Sequence, residues 1–123
     1  MDIVISNTSD VPIYQQIVDQ IRAQIIKGEL LSDTCLPPIR TVASELRISV
    51  ITVKRAWEEL EHAGLIYTMA GKGCFVAPLP PQALQEKRSA LVQERLASDM
   101  AYYKSLGLSQ EEIIALVKKN YED

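Results

Sequence analysis

The feature that most restricts the fold is a helical periodicity of apolar residues after Ser49. Within residues 49–62, apolar side chains recur at i, i+3, i+4 and i+7, at Val53, Ala56, Trp57 and Leu60. This spacing places them on one face of an α-helix, which we expect to be buried. The opposite face carries Ile51, Lys54, Arg55, Glu58 and His62. Its first two turns are therefore cationic, with one apolar residue that we expect to face water.

A shorter helix is predicted immediately upstream. Residues 41–46 have helical spacing, with their apolar side chains on one side. Two prolines, Pro37 and Pro38, prevent this helix from starting before about Ile39. A tight turn then separates it from Ser49, a favourable N-cap residue. Helix, turn and helix is the arrangement that sets a second helix into the major groove of DNA.

The chain downstream of the second helix predicts a β-hairpin. Residues 65–68 and 74–77 have the composition of strands and flank a segment with two glycines, Gly71 and Gly73. Glycine adopts the positive φ angles that a tight hairpin tip requires. We interpret the hairpin as the wing of a winged helix-turn-helix.

Taken together, these motifs resemble the winged helix-turn-helix of GntR-family bacterial transcription regulators. The matching pattern is Leu36-Pro37-x-x-Arg40, Ala43-x-x-Leu46, Ser49-x-x-Thr52-Val53-x-Arg55-Ala56, Leu60-Glu61-x-x-Gly64-Leu65 and Gly71-x-Gly73-x-Phe75-Val76. The resemblance covers residues 11–79. It implies a mainly α fold with a small β-hairpin wing, a dimeric state and binding to a double-stranded DNA operator.

The net charge of the chain is not typical of a DNA-binding protein, but the charge of the predicted helix-turn-helix and wing is. The formal net charge is -3, whereas a nucleic-acid-binding protein usually carries a basic footprint. Five cations fall within the predicted helix-turn-helix and wing: Arg40, Arg47, Lys54, Arg55 and Lys72. We therefore expect modest non-specific affinity for DNA, with a shallow dependence on salt.

The predicted DNA-binding residues are Arg40, Arg47, Ser49, Val50, Ile51, Thr52, Lys54, Arg55, Gly71 and Lys72. Ser49 would cap the helix and present the adjacent N–H groups to a phosphate. Ile51 and Thr52 lie in the first turn, where a recognition helix meets base edges, and Ile51 could contact thymine methyl groups. The alternative for Ile51 is an isolated apolar surface residue, which is common in proteins.

The remaining predicted contacts concern charge and the wing. Lys54 and Arg55 would anchor phosphates or read bases, the alternative being an ordinary solvated face. Gly71 and Lys72 would touch the minor groove or the DNA backbone. The resemblance implies that Arg40 holds a phosphate.

Two positions depart from the family pattern. Val50 stands where arginine is common in the family, and Arg47 stands where glycine is common in the turn. The usual operator sequence of the family is therefore not carried over to this chain. We hypothesise that Arg47 supplies a substitute phosphate contact.

The N-terminal region predicts a short strand and a helix. Residues 3–5 form a possible strand, and a helix follows with Pro12 in its first turn. Its predicted core stripe is Tyr14, Ile17, Val18, Ile21 and Ile25, and Gly28 ends it. The phrase Val11-Pro12-Ile13-Tyr14-x-Gln16-Ile17 resembles the opening of the YtrA-like branch of the family.

The C-terminal region predicts two amphipathic helices. Prolines within residues 78–81 mark a boundary, a helix is expected from Gln82 to about Leu106, and Gly107 ends it. Its stripe is Leu84, Leu91, Val92, Leu96, Met100 and Tyr103. Ser109-x-x-Glu112 is a capping-box signature for a last helix whose shared face is Ile113, Leu116, Val117 and Tyr121.

This tail, residues 80–123, is close to the lower size limit for independent folding and needs a partner surface for its stripes. The simpler interpretation is that it folds back on its own winged helix. We favour a symmetric homodimer formed by the tails, as the YtrA-like resemblance implies. The predicted function is thus a dimeric repressor on a near-palindromic operator, and the dimer seam could hold a small-molecule effector.

Other functions receive less support. Cys35, Cys74 and the single His62 lack metal-ligand spacing, so we predict no metal and no cofactor. No nucleophile-and-base signature accompanies His62, so we predict no enzymatic activity. The alternatives left open are a winged helix for protein interaction and a thiol-responsive regulator sensing through Cys35 or Cys74.

The expected location is the cytoplasm, with no attachment to a membrane. No apolar run approaches the roughly 18 residues of a membrane span. The first ten residues lack the basic start and apolar stretch of a signal peptide.

Overall fold

The computed structural model describes all residues of the chain, Met1–Asp123. The elements in order are α1 Ile13–Ile26, α2 Ile39–Leu46, α3 Val50–His62, β1 Ile66–Met69, β2 Gly73–Val76, α4 Pro81–Ser105 and α5 Gln110–Glu122. This order confirms the predicted class, a mainly α fold with one β-hairpin. The chain divides into two compact units, Met1–Leu84 and Gln85–Asp123.

Helix α3 is the centre of the first unit. Helices α1 and α2 and strand β1 all pack against it. Its four predicted core residues are buried, at most 3% exposed, which confirms the periodicity. They join the buried face of α1, consisting of Ile17, Val18, Ile21 and Ile25. Tyr14, predicted as part of that stripe, is only half-buried and lies at the edge of the core.

The predicted strand over residues 3–5 is wrong, because this segment pairs with side chains instead of with another strand. The Val4 N–H donates to Oε1 of Gln20 at 2.8 Å, and Nε2 of Gln20 donates to the Val4 carbonyl at 2.7 Å. Gln16 makes the same pair of bonds with Ser6, and Gln24 donates to the Asp2 carbonyl. We call these three glutamines, spaced four residues apart on α1, the glutamine row.

The wing is an antiparallel hairpin with a shorter tip than the sequence indicated. Strand β1 pairs with β2 from Ile66↔Val76 to Met69↔Gly73, so Met69 and Gly73 belong to the strands. The Lys72 N–H donates to the Met69 carbonyl at 2.9 Å and closes the tip. Residues 70–72 alone therefore form the turn.

The link between α1 and α2 is irregular, as predicted, but it is held against β2. The Leu36 N–H donates to the Cys74 carbonyl at 2.8 Å, and the Val76 N–H donates to the Thr34 carbonyl at 2.9 Å. The Tyr67 hydroxyl donates to the Asp33 carboxylate at 2.8 Å. That hydrogen bond, with smaller contributions from burial and from the carboxylate charge, raises the pKa of Tyr67. The wing thus has the link as a third, strand-like neighbour.

The second unit contains most of α4 and all of α5, which meet at Gly107. The Ser109 side chain caps α5 by accepting from the Glu112 N–H at 3.2 Å, as predicted. Ile113 is the one buried residue of α5, and α4 has none. Of the predicted α5 face, Val117 is 57% exposed and Tyr121 is 91% exposed. In the single chain, the stripe residues open to solvent are Val92 and Leu96 of α4 and Leu116, Val117 and Tyr121 of α5, whereas Leu91, Met100 and Tyr103 are half-buried.

We predict that Gln20→Ala lowers the free energy of unfolding by about 1 kcal/mol, because it removes two hydrogen bonds that hold Val4. Chemical denaturation followed by circular dichroism measures this change, and amide hydrogen exchange at Val4 should accelerate. Gln15→Ala is the matched control, since Gln15 bonds only the neighbouring Asp19 side chain. Equal destabilisation by the two variants would contradict a specific role of the glutamine row.

Candidate DNA-binding surface

The outer face of α3 begins at a well-formed N-cap. Ser49 Oγ accepts from the Thr52 N–H at 3.1 Å and lies 2.7 Å from Thr52 Oγ1. This confirms Ser49 as the predicted cap. The N–H groups of Val50 and Ile51 have no acceptor inside the helix, because they belong to its first turn. They provide donors for an anion at this helix end.

Two β-branched apolar residues form the N-terminal tip of α3. Ile51 is 79% exposed and Val50 is 42% exposed, although the rest of the apolar content of this helix is in the core. Thr52, the next residue, is half-buried and bonded to the cap. The tip is therefore an apolar patch at the end of the helix that a major-groove reader would present to base edges.

The cations beside this tip are exposed and have no carboxylate partner. Lys54 and Arg55 are exposed, and none of Arg40, Arg47, Lys54, Arg55 and Lys72 takes part in a salt bridge. The Arg55 guanidinium is packed over the Tyr14 ring, with Cζ 3.8 Å from the ring centroid. The carboxylate of Glu61, further along α3, accepts from the Thr68 hydroxyl at 2.7 Å and is directed to the wing.

Arg47 occupies the turn between α2 and α3 in a left-handed conformation. Its φ and ψ are 56° and 47°, and its N–H closes the end of α2. The Ile48 N–H then donates to the Ala43 carbonyl at 3.0 Å. Only glycine adopts this conformation without a steric penalty, which explains why the family pattern favours glycine here. The Arg47 side chain is exposed.

The wing tip needs glycine for its backbone conformation. Gly71 has φ +77°, but a Cβ at this position would meet no atom within 4 Å. The tip is therefore open on the side where a DNA backbone could approach. Lys72 is exposed next to it.

The ten predicted site residues all lie in the unit Met1–Leu84. Nine are exposed and Thr52 is half-buried. Seven belong to α3, its cap or the preceding turn: Arg47, Ser49, Val50, Ile51, Thr52, Lys54 and Arg55. Arg40 lies on α2, and Gly71 and Lys72 lie at the wing tip. The contact of Tyr14 with Arg55 was not predicted; the available signals were the place of Tyr14 at the end of the α1 stripe and its polar tip.

The structure also describes features that bear on other functions. No group of three or more His, Cys, Asp or Glu side chains is arranged to hold a metal ion. None of the five helices combines the length and the apolar composition needed to traverse a bilayer.

Sequence comparison identifies relatives of this chain. Residues 13–76 match the family described as "Bacterial regulatory proteins, gntR family". The HTH-type transcriptional regulator YhcF of Bacillus subtilis (strain 168) is 34% identical over 110 residues, covering 89% of this chain and 90% of YhcF. The HTH-type transcriptional repressor YtrA of the same organism is 32% identical, covering 76% and 72%. The match to the longer protein MocR of Rhizobium meliloti, 37% identical over 71% of this chain, covers only 18% of MocR.

Solved structures with the same fold include a GntR-family transcriptional regulator from Listeria monocytogenes. It has a TM-score of 0.77 and 29% identity, covering 94% of this chain and 98% of that structure. The DNA-binding domain of AraR in complex with operator ORX1 has a TM-score of 0.55 and 26% identity, covering 63% and 96%. This second similarity includes a structure that was solved on DNA.

We predict that Arg47→Gly leaves the free energy of unfolding unchanged or raises it by up to about 1.5 kcal/mol. Glycine removes a left-handed penalty of roughly 1–2 kcal/mol and adds an entropy loss of about 0.5–1 kcal/mol. Urea denaturation measures the change. Ser44→Gly, in the preceding helix, is the control and should destabilise by about 0.5 kcal/mol. If Arg47→Gly lowers the free energy of unfolding as much as Ser44→Gly does, the backbone at Arg47 is not strained.

Proposed function

The chain belongs to the GntR family of bacterial regulatory proteins, and from this premise we propose that it is a dimeric repressor that binds a near-palindromic DNA operator. It is a transcription regulator with a winged helix-turn-helix, like the relatives that it matches along most of their length. The proposal adds the residues that touch DNA, the dimer and the direction of regulation.

The observation that carries the proposal is the exposure of Ile51. This side chain is 79% exposed on a helix whose other face is fully used by the core. It lies one turn before Lys54 and Arg55, cations without a carboxylate partner. An apolar tip beside free cations matches a duplex, which offers thymine methyl groups in the major groove and phosphates at its edges.

The other site residues would complete the docking. The Ser49 cap and the free N–H groups that follow it would receive one phosphate, and Arg40 and Arg47 would receive others. Val50 would extend the apolar patch of Ile51, beside Thr52. Gly71 and Lys72 would approach the minor groove, the glycine by its small size and the lysine by its charge.

The dimer is proposed from the tail. The stripes of α4 and α5 include exposed residues such as Val92, Leu96 and Val117, and a two-fold packing of two tails would cover them. Two recognition helices would then enter successive major grooves about 34 Å apart, on an operator of matching symmetry. Bound at a promoter, the dimer would exclude RNA polymerase by its bulk.

An effector could act through the same region. The tail has an apolar cavity of about 510 Å³, lined by Tyr103, Leu106, Leu108, Ile113, Leu116, Val117 and Asn120. Its volume lies in the range of small-molecule sites, and its single amide could orient a ligand. We propose that any effector of this regulator is a small, mainly apolar molecule.

The rival functions fare less well. Cys35 is the antiparallel partner of Phe75, so these two side chains share a face of the sheet, whereas the adjacent Cys74 points to the other face. Both thiols are free, and this orientation opposes a disulfide between them. We propose no enzymatic activity and no metal or cofactor, because the relatives are regulators, and we propose the cytoplasm, where the DNA is.

We predict a footprint on the DNA upstream of the protein's own coding region. The protected stretch should be two-fold symmetric and span about two helical turns. Lys54→Ala should weaken binding to all sequences, whereas Ile51→Ala should cost about 1 kcal/mol at operator sites that present thymine and nothing elsewhere. Lys118→Ala, a lysine of α5, controls for loss of charge. If Lys54→Ala leaves operator binding intact, a protein-interaction role would gain support instead.

We also predict that Val117→Glu weakens self-association by at least about 100-fold, because it buries an unpaired charge in the proposed tail interface. Sedimentation equilibrium measures the change, and circular dichroism should report an intact winged helix. Ala115→Glu, on the opposite side of α5, is the control and should leave the dimer unchanged. Wild-type protein that sediments as a monomer at micromolar concentration would refute the tail dimer but not the DNA contacts.

A further inference from the structure

We propose that Tyr14 is a positioning residue that holds the Arg55 guanidinium against the first turn of α1, where Arg55 binds a DNA backbone phosphate and not the edge of a base. The inference rests on the proposed DNA-binding function. It goes further by adding a residue outside the helix-turn-helix and by separating the tasks of neighbouring side chains on α3.

The Arg55 guanidinium and the Tyr14 ring are in direct contact. Arg55 Cζ lies 3.8 Å from the centre of the Tyr14 ring, a distance at which a guanidinium is in van der Waals contact with an aromatic face. Tyr14 is half-buried and packs against the core cluster. The ring is thus fixed by α1, and it fixes the otherwise exposed arginine in turn.

The N–H donors of Arg55 remain available for a ligand. Packing on a ring face occupies one side of the guanidinium plane and leaves its in-plane N–H donors free. Arg55 takes part in no salt bridge. A charged fork with free donors and no carboxylate partner is a ligand for a phosphate.

The Arg55 guanidinium is held at the N-terminal end of α1, beside Tyr14. The first backbone bond inside α1 runs from the Gln16 N–H to the Pro12 carbonyl, so the N–H groups of Ile13, Tyr14 and Gln15 have no acceptor in the helix. The positive end of the α1 dipole therefore adds to the charge of Arg55. Both favour an anion at the junction of α1 and α3.

Arg55 differs in its surroundings from the other residues on the outer face of α3. Lys54 takes part in no ring contact or salt bridge, and Ile51 projects from the first turn of the helix with 79% of its surface open. A guanidinium drawn back to α1 cannot also extend along the helix tip to a base edge. The tip would therefore read sequence, and the Tyr14–Arg55 pair would set the position of the helix on the duplex.

The test uses the whole 123-residue chain and four variants: Tyr14→Leu, Tyr14→Phe, Arg55→Met and the double variant Tyr14→Leu/Arg55→Met. Fluorescence anisotropy measures the affinity for the footprinted operator and for a random duplex at several salt concentrations. Arg55→Met should weaken both duplexes by a similar factor and reduce the salt slope by about 0.9, the value for one lost phosphate contact. Tyr14→Leu should weaken both by roughly 3- to 10-fold, because the arginine is no longer ordered before binding.

The positioning role has its own readouts. Tyr14→Phe keeps the ring and should retain wild-type affinity, and the double variant should be no weaker than Arg55→Met alone, since Tyr14 acts only through Arg55. In the DNA-free protein, NMR should find the Arg55 side-chain protons shifted upfield by the ring in wild type and Tyr14→Phe. Tyr14→Leu removes the ring and should therefore abolish this shift.

Several results would overturn the proposal. If Arg55→Met lowers the affinity for the operator but not for the random duplex, Arg55 reads a base. If the affinity losses of the two single variants add in the double variant, Tyr14 contacts DNA independently of Arg55. Absence of the ring shift would remove the positioning role even if Tyr14→Leu fails to fold. Wild-type protein that binds neither duplex would defeat the proposed function itself, whereas wild-type binding with equal Tyr14→Leu and Tyr14→Phe affinities would defeat only this inference.

Discussion

The packing of α3 against α1 is the constraint from which the rest of the structure follows. Four residues of α3 are fully committed to the core, and Trp57 and Leu60 are the largest of them. Once this face is buried, the rotation of the helix about its axis is set, and the opposite face must be in solvent. The residues on that outer face are thus placed by hydrophobic burial, although their own chemistry contributes nothing to it. Core packing and the exposure of the proposed DNA-binding face are two consequences of one periodicity.

The sequence predicted this part of the fold well because the signal is local. Spacing along α3, the Ser49 cap, the prolines before α2 and the glycines of the wing each report on a few adjacent residues. Pairings between distant segments were missed, because no periodicity encodes a partner. The apolar run Ile3-Val4-Ile5 indicated an extended chain, yet the hydrogen-bond partners of this N-terminal segment are side chains of the glutamine row on α1. The strand-like contact of the link with β2 was missed for the same reason.

The candidate site shows the same division between local and non-local information. The exposure of Ile51 and the cationic outer face could be predicted from residues within two turns of one another. The contact between Arg55 and Tyr14 joins positions 41 residues apart in the chain, and the stripe of α1 placed Tyr14 in the core. Tyrosine at the end of such a stripe can be half-buried, with its ring available to a neighbouring helix. Only the docking of α1 on α3 reveals which neighbour that is.

The two departures from the family pattern acquire a common physical meaning in this structure. Val50 stands where arginine is common in the family and places an apolar side chain beside Ile51, so under the proposed function the helix tip would offer shape and methyl contact to base edges. Arg47, in turn, places a cation in the left-handed turn where glycine would be unstrained. Relative to the family pattern, a charge is thus missing from the helix tip at Val50 and present in the preceding turn at Arg47. If the chain binds DNA as proposed, cations at the edge would bind phosphates of any sequence, and discrimination between operators would depend on this small apolar surface.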